Sequence, residues 1–405
     1  MSYRKVLNPD YGKMWLDSNI TSDKFYSGIT ANNGNVITGS FTDGGIYYST
    51  DNGITWQSSS LTSGKYSCFC KAQNGNIIAC RVDTNSYGGT SDAGIYYSTD
   101  NGVTWQKSTD TYISGKLFTI LIVTEDGTIF AASSSNTKLQ RSIDNGISWS
   151  SIDITNVYAI CSPAANKIVI CNSSGFKYST DNGVTWQNSN LINDSYNTYM
   201  TEANILAVDS SILVASVYVS TNAGSVTCSI MYSIDCGITW QSSNITSIAD
   251  GGYCQCFIKA QDGKLISSSN HGIKYSTDNG ITWQSSNLTS GQYYKIADTK
   301  NGIILAISKT DGIKYSTDNG VTWQNSSITS ERYADFIITS NSVIACSYED
   351  NGIKYSLLMI NELISSRAIY FGQQGLEALK AGIDSYISSK LEAVSPEIVN
   401  SIFGS

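Results

Sequence analysis

Seven aspartates stand in one recurring octapeptide, Ser-x-Asp-x-Gly-x-Thr/Ser-Trp: Asp51, Asp100, Asp144, Asp181, Asp235, Asp278 and Asp318. Carboxylates ligate hard cations and carry protons in glycoside hydrolysis, so a repeated Asp invites a metal or acid–base reading. The spacing argues against it. An Asp followed two residues later by Gly suits a tight hairpin turn. The carboxylate folds back onto backbone N–H groups and the Gly takes a positive φ at no steric cost. Thr or Ser then re-enters a strand, and Trp packs beneath the turn. One Asp per repeat around an outer rim never meets its fellows, so these residues are expected to hold turns. No catalytic residue, metal ligand or cofactor site is assigned.

A second set of residues suits recognition rather than reaction. Asp83, Tyr87, Asp110, Tyr112, Tyr196, Tyr199 and Tyr218 fall in the longer connections between strand-like runs, where tyrosines neighbour Asp or Asn. A tyrosine ring stacks on the apolar C–H face of a sugar while carboxylates and amides take its hydroxyls. These seven are the candidate ligand-binding residues. The ten cysteines carry no such pattern. Cys80, Cys171 and Cys346 occupy similar places in their repeats, where other copies have Ala, Ser or Val, and read as small buried apolar residues. The single histidine, His271, sits in a turn.

The elements that must position these groups are repeats. All eight tryptophans, from Trp15 to Trp323, recur at a mean spacing of roughly 44 residues, the length of a four-stranded propeller blade. Between successive tryptophans lie three further strand-like runs, the first two joined by a short turn such as QNGN, EDGT or QDGK. Each unit reads as strands A, B and C, the octapeptide, and strand D opened by Trp. Trp15 has no octapeptide before it, and residues 333–356 supply strands A to C without a D. Residues 12–22 are therefore expected to donate the outer strand of the last blade, which removes both open sheet edges. The count is eight blades, or seven if the long set from Asn188 to Ser233 is something else.

The octapeptide resembles the Asp-box (BNR) repeat of sialidase-like β-propellers, and the resemblance spans roughly residues 12–356. It implies an all-β fold: a single β-propeller of four-stranded antiparallel blades closed by an N-terminal strand. It also raises the question of sialidase activity, which in that family needs three arginines on the substrate carboxylate, a Tyr–Glu nucleophile pair and an Asp acid/base. The five arginines here are Arg4, Arg81, Arg141, Arg332 and Arg367. Arg4 and Arg367 fall outside the blades and Arg141 precedes a box on an outer strand. Only Arg81 and Arg332 could approach the face where ligands meet propellers. The family's Arg-Ile-Pro motif is absent, so the chain is read as no sialidase.

Composition bounds the rest. Charged residues are 14% and the net charge is −8 without a Lys/Arg cluster, which disfavours nucleic acid. Nothing approaches the apolar run of a membrane span. The opening residues lack the apolar core of a secretory signal, so synthesis in the cytoplasm is expected. After Ser356 the pattern changes: Leu376, Leu379, Ile383, Tyr386 and Leu391 recur at helical spacing. The domains read as a propeller over 1–356 and an α-helical tail over 357–405 for docking or oligomerisation.

The expectation for function is a non-enzymatic propeller of a phage or phage-tail-like particle. It binds a surface glycan or cell-surface receptor and is mounted on other particle proteins through residues 357–405. The alternatives are a structural or protein-binding propeller, a non-sialidase glycoside hydrolase, and a cytoplasmic location.

Overall fold

The computed structural model describes residue 8 and residues 10–82, 92–109, 113–134, 137–192, 198–221, 226–245, 254–349 and 351–358. The chain divides into two compact units: Gly12–Ser356, and a second made of Met1–Tyr11 with Leu357–Ser405. The tail expected to be helical lies, from residue 359 onward, outside the described residues.

Eight four-stranded antiparallel sheets follow one another along the chain. In blade 1 the strands are Phe25–Thr30 (A), Val36–Ser40 (B), Ile46–Ser49 (C) and Gln57–Ser58 (D). Blades 2 to 7 repeat this order. Blade 8 takes its A, B and C strands from Tyr333–Ile338, Ser342–Ser347 and Ile353–Leu357, and its D strand from Leu16–Asp17 at the other end of the chain. Leu16 pairs with Tyr355 and Asp17 with Lys354. The count of eight is settled, and the set from Asn188 to Ser233 contributes to blades 4 and 5.

Burial explains the composition of the strands. Every residue of strand B in blades 1, 6, 7 and 8 is buried, because both faces of the sheet are covered by neighbouring blades. Such strands cannot alternate polar and apolar residues. They use compact side chains instead, as in ILAIS and SVIACS. Cys80, Cys171 and Cys346 fall on strand B of blades 2, 4 and 8 with no exposure, and none of the ten cysteines is in a disulfide. Burial pushes the thiol pKa of Cys80, Cys171 and Cys346 up. The core is thus a series of seams between blades. One seam packs Ile37 and Ile46 of blade 1 with Tyr66, Ile77 and Trp105 of blade 2.

The box glycines sit at these seams. Gly53, at φ +86°, would place a Cβ 2.5 Å from Ile344 of the preceding blade, so only glycine satisfies both the turn and the approach. The eighth box, missing from the linear sequence, is assembled from both ends of the ring. Gly12 N donates to Ser356 Oγ at 2.9 Å and Trp15 Nε1 donates to Gly12 O at 3.2 Å. Gly53 N with Ser49 Oγ (2.9 Å) and Trp56 Nε1 with Gly53 O (3.0 Å) repeat that pattern in blade 1. Asp10 stands two residues before Gly12, as the Asp does in the other boxes, and the place of the Thr or Ser is taken by Met14.

Blade 5 departs from the sequence reading. Tyr199 and Tyr218, expected in connections between strands, lie on strands. Strand B runs Leu213–Thr221, strand C runs Val226–Ser233 and strand A begins at Thr198. Tyr218 lies opposite Cys228, and Val219 opposite Thr227. The cause is visible in VYVST and VTCS, whose β-branched residues favour the two paired strands.

Candidate functional site

The Asp boxes come first because they hold carboxylates. In the box of blade 6, Ser276 Oγ donates to Asp278 Oδ1 at 2.8 Å. Thr282 N donates to the same oxygen at 2.8 Å, and Thr282 Oγ1 donates to Asp278 Oδ2 at 2.6 Å. The set recurs for Asp51, Asp100, Asp181, Asp235 and Asp318, and with Ser148 for Asp144. Hydrogen bonds from Thr185 hold Asp181 at a pKa of about 2. For Asp100, Asp144, Asp235, Asp278 and Asp318, partial burial acts upward, but the same donors outweigh it and leave each carboxyl below its ordinary value. Each carboxylate is spent within its own turn. Among the described residues, no group of three or more His, Cys, Asp or Glu is placed to hold a metal ion.

The opposite face, formed by the D–A and B–C connections, carries the more promising geometry. Every innermost strand except that of blade 3 has a register shift near its start, where an extra residue bulges from the ladder. Bulges re-aim side chains beside sites. Tyr294 of blade 7 and Ala334 of blade 8 are such residues, and Tyr26 lies within the bulge of blade 1. Together with Arg332, Tyr333 and Tyr348 they line a concavity of about 340 Å³.

One wall of this cleft is a stack of four flat groups. Phe41 lies on Tyr26 with ring centroids 3.9 Å apart, Tyr26 on Tyr348 at 5.0 Å and 11° between planes, and the Arg332 guanidinium over Tyr348 at 4.4 Å. Tyr348 is 39% exposed and offers the accessible ring. Partial burial, then the hydrogen bond with Tyr348, pushes the Tyr26 hydroxyl up to about 12, so Tyr26 is a neutral phenol at physiological pH. Arg332 Nη1 lies 3.5 Å from Glu349 Oε1, while its Nε is buried without an acceptor among the described residues. A buried unpaired N–H costs about 1–3 kcal/mol.

Tyr333 donates to the Glu331 carboxylate, which also lies 3.5 Å from Lys354 Nζ. Burial, then that carboxylate, drives the Tyr333 pKa upward, so the pair holds a phenol and makes a poor nucleophile. Immediately after the bulges, Lys295 of blade 7 and Asp335 of blade 8 form an ion pair at 3.0 Å. The Asp335 carboxylate raises the Lys295 pKa. Here the two charges offset each other. What the cleft offers is aromatic surface with hydrogen-bonding hydroxyls at its edge.

Of the candidate residues read from the sequence, Asp83, Tyr87, Asp110, Tyr112 and Tyr196 lie outside the described residues. Tyr199 falls on strand A of blade 5, its backbone opposite Ser220. Tyr218 is half-buried and packs against the seam of Val214, Cys228, Cys254 and Trp283. Arg81 lies 3.7 Å from Asp92, and Arg141 sits on strand C of blade 3. Arg332 alone of the arginines considered lines the cleft. Tyr26, Tyr294 and Tyr348 were missed because the reading weighed loop length. The available signal was the aromatic doublets that begin innermost strands, Phe25-Tyr26 and Tyr293-Tyr294, whose second member falls at the bulge.

Eight four-stranded sheets closed by the chain's own first strand define an eight-bladed β-propeller. The repeat sharpens this: residues 47–58, 96–107 and 177–188 match the BNR/Asp-box repeat, and residues 193–367 match the DUF6242 beta propeller domain. The chain is an Asp-box repeat β-propeller. No curated protein matches its sequence. Among solved structures, the computationally designed Ika8 protein is 13% identical, over 84% of this chain and 98% of that one, with a TM-score of 0.57. Virginiamycin B lyase from Staphylococcus aureus is 12% identical over 85% and 99%, with a TM-score of 0.51. YCF48 from Cyanidioschyzon merolae is 13% identical over 72% and 94%, with a TM-score of 0.49. Likeness at these identities speaks to the fold alone.

Proposed function

We propose that the propeller is a non-enzymatic binding module for a surface glycan or cell-surface receptor, and that the cleft at blades 7, 8 and 1 is its contact site. The observation that carries this reading is the partly exposed Tyr348, stacked between Tyr26 and the Arg332 guanidinium at the edge of the cleft, with Phe41 behind Tyr26 and Tyr294 alongside in the lining. A pyranose ring presents an apolar C–H face that packs on such a surface, and its hydroxyls pair with the edge. Residues 357–405, whose composition departs from the repeats, mount the ring on a larger phage or phage-tail-like particle. The test is incubation with purified bacterial surface polysaccharides, read for both retained protein and released reducing sugar. Retention without release supports the reading; release points to a glycoside hydrolase.

One observation favours a second reading. Phe41 and Tyr26 belong to blade 1, whereas Tyr348 and Arg332 belong to blade 8, so the stack also clasps the seam where the ring closes. A structural or protein-binding propeller would need that clasp and no sugar. Loss of stability without any polysaccharide retention in the wild type would favour it.

A further inference from the structure

At five seams of this ring the residue that opens strand B of one blade, or stands just before it, touches the fourth position of the next blade's Asp box. Asn35 Nδ2 donates to Asn101 O at 3.2 Å, Asn76 Nδ2 to Asn145 O at 3.3 Å and Ser342 Oγ to Asn52 O at 2.8 Å. At the seam of blades 3 and 4, Asn182 Nδ2 donates to Thr128 Oγ1 at 2.7 Å. The seam of blades 4 and 5 is different in kind. Its two members are Lys167 and Cys236, and Lys167 Nζ lies 3.1 Å from Cys236 Sγ.

Cys236 is held rather than merely nearby. Its backbone adopts φ +60°, as Asn does at this place in the other boxes. Its N–H donates to Ser211 O at 2.8 Å and its thiol to Ser210 O at 2.9 Å. The residue is 8% exposed. Of the two groups in hydrogen-bond contact with the sulfur, the Ser210 carbonyl and the Lys167 amine, the amine is the one able to form a bond with it; the Cys161 thiol is the other group close enough to be felt electrostatically. None of the ten cysteines is in a disulfide. A thiol beside a lysine amine is open to oxidation, and here the first atom an oxidised sulfur meets is nitrogen.

We propose that Lys167 and Cys236 form an oxygen-bridged crosslink, Cys–S–O–NH–Lys, with molecular oxygen as oxidant. The amine enters as the free base, its third proton having gone to solvent. One atom of dioxygen is inserted between Sγ and Nζ. The other leaves as water, carrying the thiol proton and one amine proton. Sulfur and nitrogen each give up two electrons, the four that reduce dioxygen. The product ties blade 4 to blade 5 by a covalent link at the place where other seams use a hydrogen bond.

The experiment compares full-length protein held in air-equilibrated buffer with protein held under nitrogen with a thiol reductant. Each sample is alkylated with iodoacetamide and mapped by peptide mass. In air, the Cys236 peptide should appear joined to the Lys167 peptide. Its mass should exceed their sum by one oxygen less two hydrogens, and alkylation of Cys236 should be lost. Reductant should restore alkylation. Lys167→Arg should leave Cys236 alkylatable in air. Cys236→Asn restores the residue found in the other boxes, so it should fold and melt at one temperature in both buffers, whereas the wild type melts higher in air. Equal alkylation of wild-type Cys236 in both buffers would overturn the proposal. So would an oxidation product of Cys236 that persists unchanged in Lys167→Arg.

Discussion

The side-chain amide of Asn244 brackets the main chain of Trp283 in the next blade: Oδ1 accepts from Trp283 N at 2.9 Å and Nδ2 donates to Trp283 O at 3.1 Å. The same bracket joins Asn19 to Trp56, Asn190 to Trp240 and Asn287 to Trp323. Each Asn stands four residues after its own blade's tryptophan, so one repeat position fixes the lateral join between blades.

Removing one bracket should be costly, because it leaves a partly buried N–H and C=O unpaired. Asn244→Ala is expected to lower stability by about 1–3 kcal/mol, read from the denaturant midpoint. Asn244→Ser should lose less. At the seam of blades 1 and 2, Ser60 keeps one of the two bonds, accepting from Trp105 N at 2.9 Å. Equal losses in both variants would contradict the account.

Ring closure depends on the assembled eighth box. Trp15 is 9% exposed and stacks on Phe336 at 6.1 Å. Trp15→Ala should cost about 3–5 kcal/mol and free the edge of Ile353–Leu357, which would then template association. Light scattering alongside the denaturant curve separates the two effects. An unchanged midpoint would show that the D strand of blade 8 is dispensable.

The box carboxylates set a pH dependence whose sign follows from their lowered pKa values. A carboxyl more acidic in the folded chain contributes stability that is full above its unfolded pKa, near 3.9, and is lost as pH falls through the folded value. For Asp181 that folded value is about 2. Acid unfolding should therefore fall between about pH 4 and pH 2. Thr185→Val removes the hydroxyl donor to Asp181 and should move the transition upward, monitored by tryptophan fluorescence. No shift would mean that this bond does not set the pKa.

Much of this architecture is legible in the chain. The seven boxes give the C–D turns, the tryptophan spacing gives the blade, and the partial units at either end give the closure. The bracket is written as Asn four residues after Trp, but nothing local says that its partner is the next tryptophan. The eighth box was hidden because Asp10, Gly12 and Trp15 keep the spacing while Met14 replaces the Thr or Ser and the serine, Ser356, comes from the other end of the chain. The cleft was less legible still, since bulges depend on ladder register between strands. In VYVST the pattern signalled a strand, and loop length was the wrong guide.

The aromatic cleft should bind without being needed for folding. Tyr348→Ala removes a partly exposed ring and should cost about 1 kcal/mol of stability. Any glycan held in the cleft against it should be weakened about 10-fold or more, the loss expected of a central aromatic anchor.

The most direct measurement is a glycan array probed in parallel with wild-type protein and the Tyr348→Ala variant, after both are shown to unfold cooperatively. The account predicts that the wild type is retained on a defined subset of sugars and that the variant loses that subset. Retention of the same sugars at equal strength by Tyr348→Ala would contradict the assignment of the cleft as the contact site.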